Sequence, residues 1–132
     1  MSLSVRSIVL LSILSLFLTA CSKTPTDAQI RQRAVGTWAP LSSRSGALKM
    51  VSEMRPDGSF VSKWSSGTNH IELTGTWDVQ GGVMTMTLTN AKGIDAGTLG
   101  PPVQSYKIVR ITKDEITCQM GSNTNLFVMT RR

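Results

Sequence analysis

The side chain with the clearest potential for chemistry is the thiol of Cys21, which directly follows Leu18-Thr19-Ala20. An apolar run, Ile8 to Leu18, precedes it, and Arg6 gives the short segment in front of that run a positive charge. A charged start, a short apolar run and small residues at a cleavage site indicate a secretory signal, since the run is too short for a membrane-spanning helix. We therefore expect the chain to be exported.

The four residues Leu18-Thr19-Ala20-Cys21 resemble the lipobox of bacterial lipoproteins. In that family the thiol receives a diacylglyceryl group, the preceding peptide is cut away, and the new amino terminus is acylated, typically with palmitate. The resemblance implies a signal peptide over residues 1–20, a lipidated tether over 21–27 and a domain over 28–132. The alternative is a plain secretory signal in which Cys21 occurs by chance.

The resemblance also implies a location for the domain. In Gram-negative lipoproteins an Asp after the lipidated Cys favours the inner membrane, and this chain has Ser22 there. We expect the protein to sit in the outer membrane facing the periplasm, or on the outer face of the cell membrane if the source is Gram-positive. Three acyl chains would anchor it stably, whereas one chain binds a bilayer only marginally.

The rest of the chain offers little reactive chemistry. His70, Glu72 and Asp78 share one face of a predicted strand, but neighbours at alternate positions lie about 6.6 Å apart, which suits a single metal ion poorly. Cys118 alternates with apolar residues and is expected to be a small buried side chain. No Gly-x-Ser-x-Gly, His-Glu-x-x-His or Cys-x-x-Cys pattern is present. We predict a protein that is not an enzyme and holds no metal or cofactor.

The basic balance of the chain, a formal net charge of +6, does not indicate nucleic-acid binding. The Lys and Arg residues are scattered and are not interleaved with aromatic residues, as a nucleic-acid surface would require. The charge is expected to form a solvated positive surface, with affinity for anionic envelope material as the alternative.

From Val35 onward the hydrophobic pattern repeats every two residues, which predicts half-buried strands. The clearest hairpin joins residues 70–79 to 83–89 through Gly81-Gly82, a strong two-residue turn signal. Thr24 can cap a short helix, Pro25 suits its first position and Asp27 its first turn, and the helix itself is expected over Ala28–Ala34. The other strands are expected near 36–39, 47–55, 59–65, 103–112, 115–120 and 126–131, with a loop over Asn90–Pro102. About eight antiparallel strands with short links predict an all-β up-and-down barrel preceded by a short helix.

Several short motifs resemble the small lipocalin-like domains of bacterial envelope proteins: a short helix before Gly36-Thr37-Trp38, the Asp-Gly turn in residues 55–60, and Gly75-Thr76-Trp77 followed by Gly81-Gly82. In lipocalins an Arg late in the barrel stacks on the Trp of the first strand and closes the base. The resemblance therefore implies that Gly36, Trp38 and Arg131 form this closure, with Arg131 covering Trp38.

The interior of such a barrel is filled by side chains or holds one small ligand. The alternation directs most Met residues inward, and a Met-rich wall suits either a soft pocket or a packed core. The short predicted strands and large side chains favour a filled interior. If a cavity exists, we expect a small apolar ligand to be bound by Trp38, Trp64, Trp77, Met84 and Met86. The alternative function is a packed barrel that contacts an envelope protein or the peptidoglycan through its loops, above all Asn90–Pro102.

Overall fold

The fold is an eight-stranded antiparallel barrel that is closed by pairing between its first and last strands. A computed structural model describes residues 23–44, 48–122 and 124–132. The predicted signal peptide, residues 1–20, and the predicted lipidation site, Cys21, lie outside the described residues. The structure confirms the predicted all-β up-and-down barrel with a short helix in front of its strands.

Each strand pairs with the next one along the chain, so the barrel is a simple meander. The strands are β1 (Gly36–Pro40), β2 (Lys49–Met54), β3 (Ser59–Ser66), β4 (Asn69–Gln80), β5 (Val83–Lys92), β6 (Val103–Ile111), β7 (Glu115–Met120) and β8 (Leu126–Arg131). Closure leaves no strand edge of this barrel unpaired, which removes the usual template for edge-to-edge aggregation.

The longest hairpin, β4–β5, turns at Gly81 and Gly82, as predicted. Their φ angles are +61° and +74°, and two successive positive φ values give the tight turn that matches the twist of the flanking strands. Inward residues of β4 and β5 face each other in register: Trp77 lies opposite Met86, and Val79 lies opposite Met84.

The helix α1 (Asp27–Ala34) begins one residue before the predicted Ala28 and ends at Ala34, as predicted. Thr26 is its N-cap, and a capping box forms between Thr26 and Gln29. The prediction of Thr24 as the cap was wrong. The Thr26 hydroxyl accepts a hydrogen bond from the Gln29 backbone N–H, and the Gln29 side chain accepts one from the Thr26 backbone N–H, so the helix is capped at Thr26.

Charged side chains tie α1 to the β4–β5 turn. Both oxygens of Asp27 accept backbone hydrogen bonds, at 2.8 Å from Gly81 N–H and 2.9 Å from Gly82 N–H. Arg31 pairs with Asp78 and also donates to the Val79 carbonyl at 3.0 Å. These contacts fix the helix across one end of the barrel, which we call the closed end.

The closed end holds the tightest part of the core. Ile30 and Ala34 on α1 are buried against Trp38, Val79 and Ile111 from three strands. All eight strands and α1 come after residue 26, so a chain that starts at residue 22 retains every strand pairing of the barrel. We therefore treat residues 22–132 as a unit that folds independently.

A candidate ligand cavity in the barrel

The interior of the barrel is not filled. A cavity of about 350 Å³ lies between the strands, within the range of about 300–1,000 Å³ that small-molecule sites occupy. The sequence-based expectation of a filled interior was therefore wrong.

The space arises where two small side chains meet on the inner wall. Ser52 of β2 and Ser62 of β3 lie directly opposite each other, and both side chains line the interior. A Leu or Met at either position would fill this part of the barrel. Their hydroxyl oxygens are 2.6 Å apart and hydrogen-bonded. The larger neighbours on the same strands, Met54 and Phe60, lie nearer the closed end. The pair therefore leaves volume in the middle of the barrel.

Four of the five residues predicted to bind a ligand line this cavity: Trp38, Trp64, Met84 and Met86. Trp77, the fifth, is not among the lining residues. Its indole N–H donates to the carbonyls of Arg55 and Ser59, each at 3.1 Å, beneath the β2–β3 turn. Trp77 follows Thr76, the last residue of β4 that pairs with β3, and it belongs to the closed-end core.

The mouth of the cavity is formed by residues that the alternation did not single out. Leu99, Pro101 and Pro102 of the β5–β6 loop line it, together with Met120 at the end of β7. Met120 is 48% exposed, so this side of the cavity reaches the surface, opposite α1. The loop Asn90–Pro102, predicted as an interaction surface, is shorter than expected, because β5 continues to Lys92 and residues Ala96–Leu99 form a 3₁₀ turn.

The polar groups of the lining are few. Besides the serine pair, Tyr106 donates to Gln104 Oε1 at 2.7 Å, and burial raises the pKa of Tyr106. Two indole nitrogens also belong to lining residues: that of Trp38 donates to the Ala34 carbonyl, and that of Trp64 is buried and has no hydrogen-bond partner among the described residues. None of the described residues that line the cavity carries a formal charge at neutral pH.

No family model matches this chain, and no curated protein matches it.

The base of the barrel is closed by Gly36, Trp38 and Arg131. The Arg131 guanidinium lies over the Trp38 ring, 4.3 Å from its centroid, and donates to the carbonyls of Arg33, Val35 and Lys113. Trp38 in turn donates to the Ala34 carbonyl at 2.8 Å. These bonds satisfy backbone groups where α1 ends and β1 begins, so one Arg and one Trp join the helix, the first strand and the last strand.

The groups considered for other chemistry are engaged elsewhere. Glu72 lies 3.9 Å from Lys92, and Asp78 pairs with Arg31. Among the side chains that the structure describes, no three His, Cys, Asp or Glu residues form a group that could hold a metal ion. Cys118 is buried, donates weakly to the Phe127 carbonyl at 3.7 Å, and burial raises the pKa of its thiol to about 11. It is therefore a poor nucleophile at neutral pH.

The helices within residues 23–44, 48–122 and 124–132 include none with the length and apolar character that a membrane span requires.

Proposed function

We propose that this protein is a lipid-anchored lipoprotein of the cell envelope whose barrel binds a small apolar molecule. The observation that carries the binding function is the 350 Å³ cavity, whose wall is predominantly apolar. Apolar ligands bind such sites because their surface is removed from water, at about 25 cal/mol for each Å² buried. The Met side chains in the wall can adjust to different ligand shapes.

Binding rather than catalysis suits the chemistry of the wall. Tyr106 is the one titratable residue among the described residues that line the cavity. Its raised pKa keeps the hydroxyl protonated at neutral pH. A protein of this kind would carry or sequester its ligand unchanged.

The cavity favours this function over the alternative of a filled barrel that acts only through its outer surface. That alternative required an interior with no space for a ligand. The loop that would have been its contact surface also contributes Leu99, Pro101 and Pro102 to the mouth. We therefore retain the ligand-binding function and interpret the loop as part of the entrance.

The proposed anchor and the cavity mouth belong to opposite ends of the barrel. Cys21 precedes Thr26, the cap of α1, by five residues, and five residues span at most about 18 Å. The strand β4 runs from the mouth end to the closed end over 12 residues, about 40 Å along the strand. Acyl chains on Cys21 would hold the closed end near the membrane. The mouth would then face the aqueous compartment, so we propose that ligand is exchanged there.

Titration of the 22–132 chain with N-phenyl-1-naphthylamine, a neutral apolar fluorophore, tests the binding function. We expect saturable binding of one fluorophore per chain with a rise in its emission, and displacement by other small apolar molecules. Extraction of the freshly exported protein with organic solvent should release an apolar molecule detectable by mass spectrometry. Absence of saturable binding would refute the function.

The anchor is tested separately, in the full-length chain. Labelling cells with radioactive palmitate should mark the wild-type protein, and the Cys21→Ser variant should remain unlabelled and be either soluble or unprocessed. A matched Cys118→Ser variant should be labelled like the wild type, because that thiol is buried. Firm membrane attachment of processed Cys21→Ser protein would refute the anchor and leave the binding function intact.

A further inference from the structure

The three tryptophans of this chain differ in one respect. The indole N–H of Trp38 donates to the Ala34 carbonyl, and that of Trp77 donates to the Arg55 and Ser59 carbonyls. The indole N–H of Trp64 is buried and has no partner among the described residues, although Trp64 lines the cavity. Buried polar groups without a partner are uncommon in folded proteins, because each loses its hydrogen bond to water without compensation. Trp64 lines the cavity, so a small turn of its ring would present this N–H to an acceptor on a bound ligand.

A second donor lies on the same wall. The hydroxyls of Ser52 and Ser62 share one hydrogen bond, so one of their two O–H protons remains to be donated. Ser62 and Trp64 are alternate residues of β3 and both line the cavity, about 6.6 Å apart along the strand. The β2–β3 wall therefore offers hydrogen-bond donors in an otherwise apolar surface.

The charge of the lining limits what the acceptor can be. No described residue of the lining is cationic, and burying a carboxylate or phosphate without an opposite charge is strongly unfavourable. A neutral oxygen, as in a ketone, an aldehyde or an ester, accepts a hydrogen bond without that cost.

We propose that the cavity takes neutral apolar molecules that carry a carbonyl oxygen, which accepts the hydrogen bond of Trp64 Nε1. This inference rests on the proposed ligand-binding function and names the chemical class of the ligand. It separates the protein from carriers of free fatty acids, whose carboxylate would find no countercharge in this wall.

The most direct test observes the three indole N–H groups by NMR in the ¹⁵N-labelled 22–132 chain. Trp38 lines the cavity, so its resonance should move when any ligand enters, whereas Trp77 lies outside the lining and serves as the reference. We expect methyl octanoate to move the Trp64 N–H resonance downfield. Octane, which lacks an acceptor, should move Trp38 without that downfield shift of Trp64.

The outcomes distinguish this inference from the function on which it rests. If both ligands move Trp38 and the Trp64 resonance responds equally to both, the cavity binds apolar molecules but the carbonyl inference is wrong. If no resonance moves with either ligand, both the inference and the binding function are wrong.

Affinities provide an independent test in the unmodified protein. In competition with N-phenyl-1-naphthylamine at pH 8, methyl octanoate should bind at least tenfold more tightly than octanoate. Equal affinity of the ester and the carboxylate would overturn the inference.

The Trp64→Phe variant removes the donor and keeps an aromatic ring. We expect this variant to weaken the binding of methyl octanoate by about three- to tenfold more than it weakens the binding of octane, which is the range for one neutral hydrogen bond. Trp77→Phe is the matched control, since its N–H is already bonded to backbone, and it should leave the ratio of the two affinities unchanged. An unchanged ratio in Trp64→Phe would overturn the inference, and the NMR and ester measurements stand if that variant does not fold.

Discussion

The guanidinium carbon of Arg131 lies 4.3 Å from the centroid of the Trp38 indole. Trp38 is 0% exposed, and it forms part of the cavity wall while Arg131 covers it from outside. The same Arg donates to three backbone carbonyls. One contact therefore seals the base of the barrel beneath the cavity.

Removal of this seal should destabilise the barrel. Arg131→Gln loses the cation–π contact and the charged hydrogen bonds, and we expect the free energy of unfolding in urea to fall by about 2–3 kcal/mol. The free energy of unfolding of Arg131→Lys should lie between those of the wild type and Arg131→Gln, because Lys keeps the charge but lacks the planar fork of donors. Arg132→Gln removes the same charge from an exposed neighbour and should stay within about 0.5 kcal/mol of the wild type. Equal losses in Arg131→Gln and Arg132→Gln would contradict this role.

Gly36 should tolerate no side chain. Its φ is +139°, and a Cβ there would lie 2.0 Å from Arg131 Nη1. We expect Gly36→Ala to lower the free energy of unfolding by about 3–5 kcal/mol, through backbone strain and displacement of Arg131. Gly67→Ala is the control: its φ is +58° with no atom within 4 Å of the added carbon, so only the backbone cost of about 1–2 kcal/mol applies. A Gly36→Ala cost no larger than that of Gly67→Ala would show that Arg131 moves freely.

The attachment of α1 should depend on pH through Asp27. The Gly82 and Gly81 N–H groups, which donate to its carboxylate, hold the pKa of Asp27 below its ordinary value of 3.8. A pKa that is lowered by folding stabilises the protein above the unfolded-state pKa, and this stabilisation is lost as the pH falls through the lowered folded-state pKa.

The measurement is chemical unfolding of the wild type and Asp27→Asn at pH 7 and pH 2. We expect the wild type to be the more stable at pH 7 and the difference to shrink towards pH 2, as the Asp27 carboxylate takes up a proton. A difference of equal size at both pH values would mean that the charge of Asp27 does not hold the helix.

The sequence carried most of the fold, for identifiable reasons. Alternating residues and Gly81-Gly82 specify the β4–β5 hairpin locally, and successive hairpins leave a meander few ways to close. The helix cap was misplaced by two residues, because Thr24-Pro25 and Thr26-Asp27 both resemble the start of a helix. The capping box between Thr26 and Gln29 and the tertiary contact of Asp27 with the Gly81-Gly82 turn distinguish them.

The cavity was harder to predict because it depends on which residues meet across strands. Alternation places Ser52 and Ser62 inward but does not reveal that they face each other, and a Ser opposite a Ser leaves space that a Ser opposite a Met would not. Trp77 shares a face with Leu73, yet only Leu73 lines the cavity. The difference lies in where the pairing of β3 with β4 stops, at Ser59 and Thr76, which the pattern of β4 alone does not contain.

The size of the cavity should set a limit on ligand length. In a series of methyl esters of increasing chain length, each added CH₂ that is buried contributes about 0.8 kcal/mol, so Kd should fall about fourfold per carbon. Once the 350 Å³ are occupied, further carbons extend into water and the gain should stop. Competition with the fluorophore measures the series. A Kd that falls steadily to the longest ester would argue against a bounded cavity.

The most direct test of the account fills the space between β2 and β3. In the Ser52→Ala, Ser62→Leu double variant a Leu side chain occupies the cavity and no hydroxyl is left unpaired, whereas Ser105→Leu adds the same side chain on the exposed face of β6. We predict that the double variant binds N-phenyl-1-naphthylamine at least tenfold more weakly than the wild type while its free energy of unfolding is equal or higher, and that Ser105→Leu binds normally. Undiminished binding by the folded double variant would contradict the account.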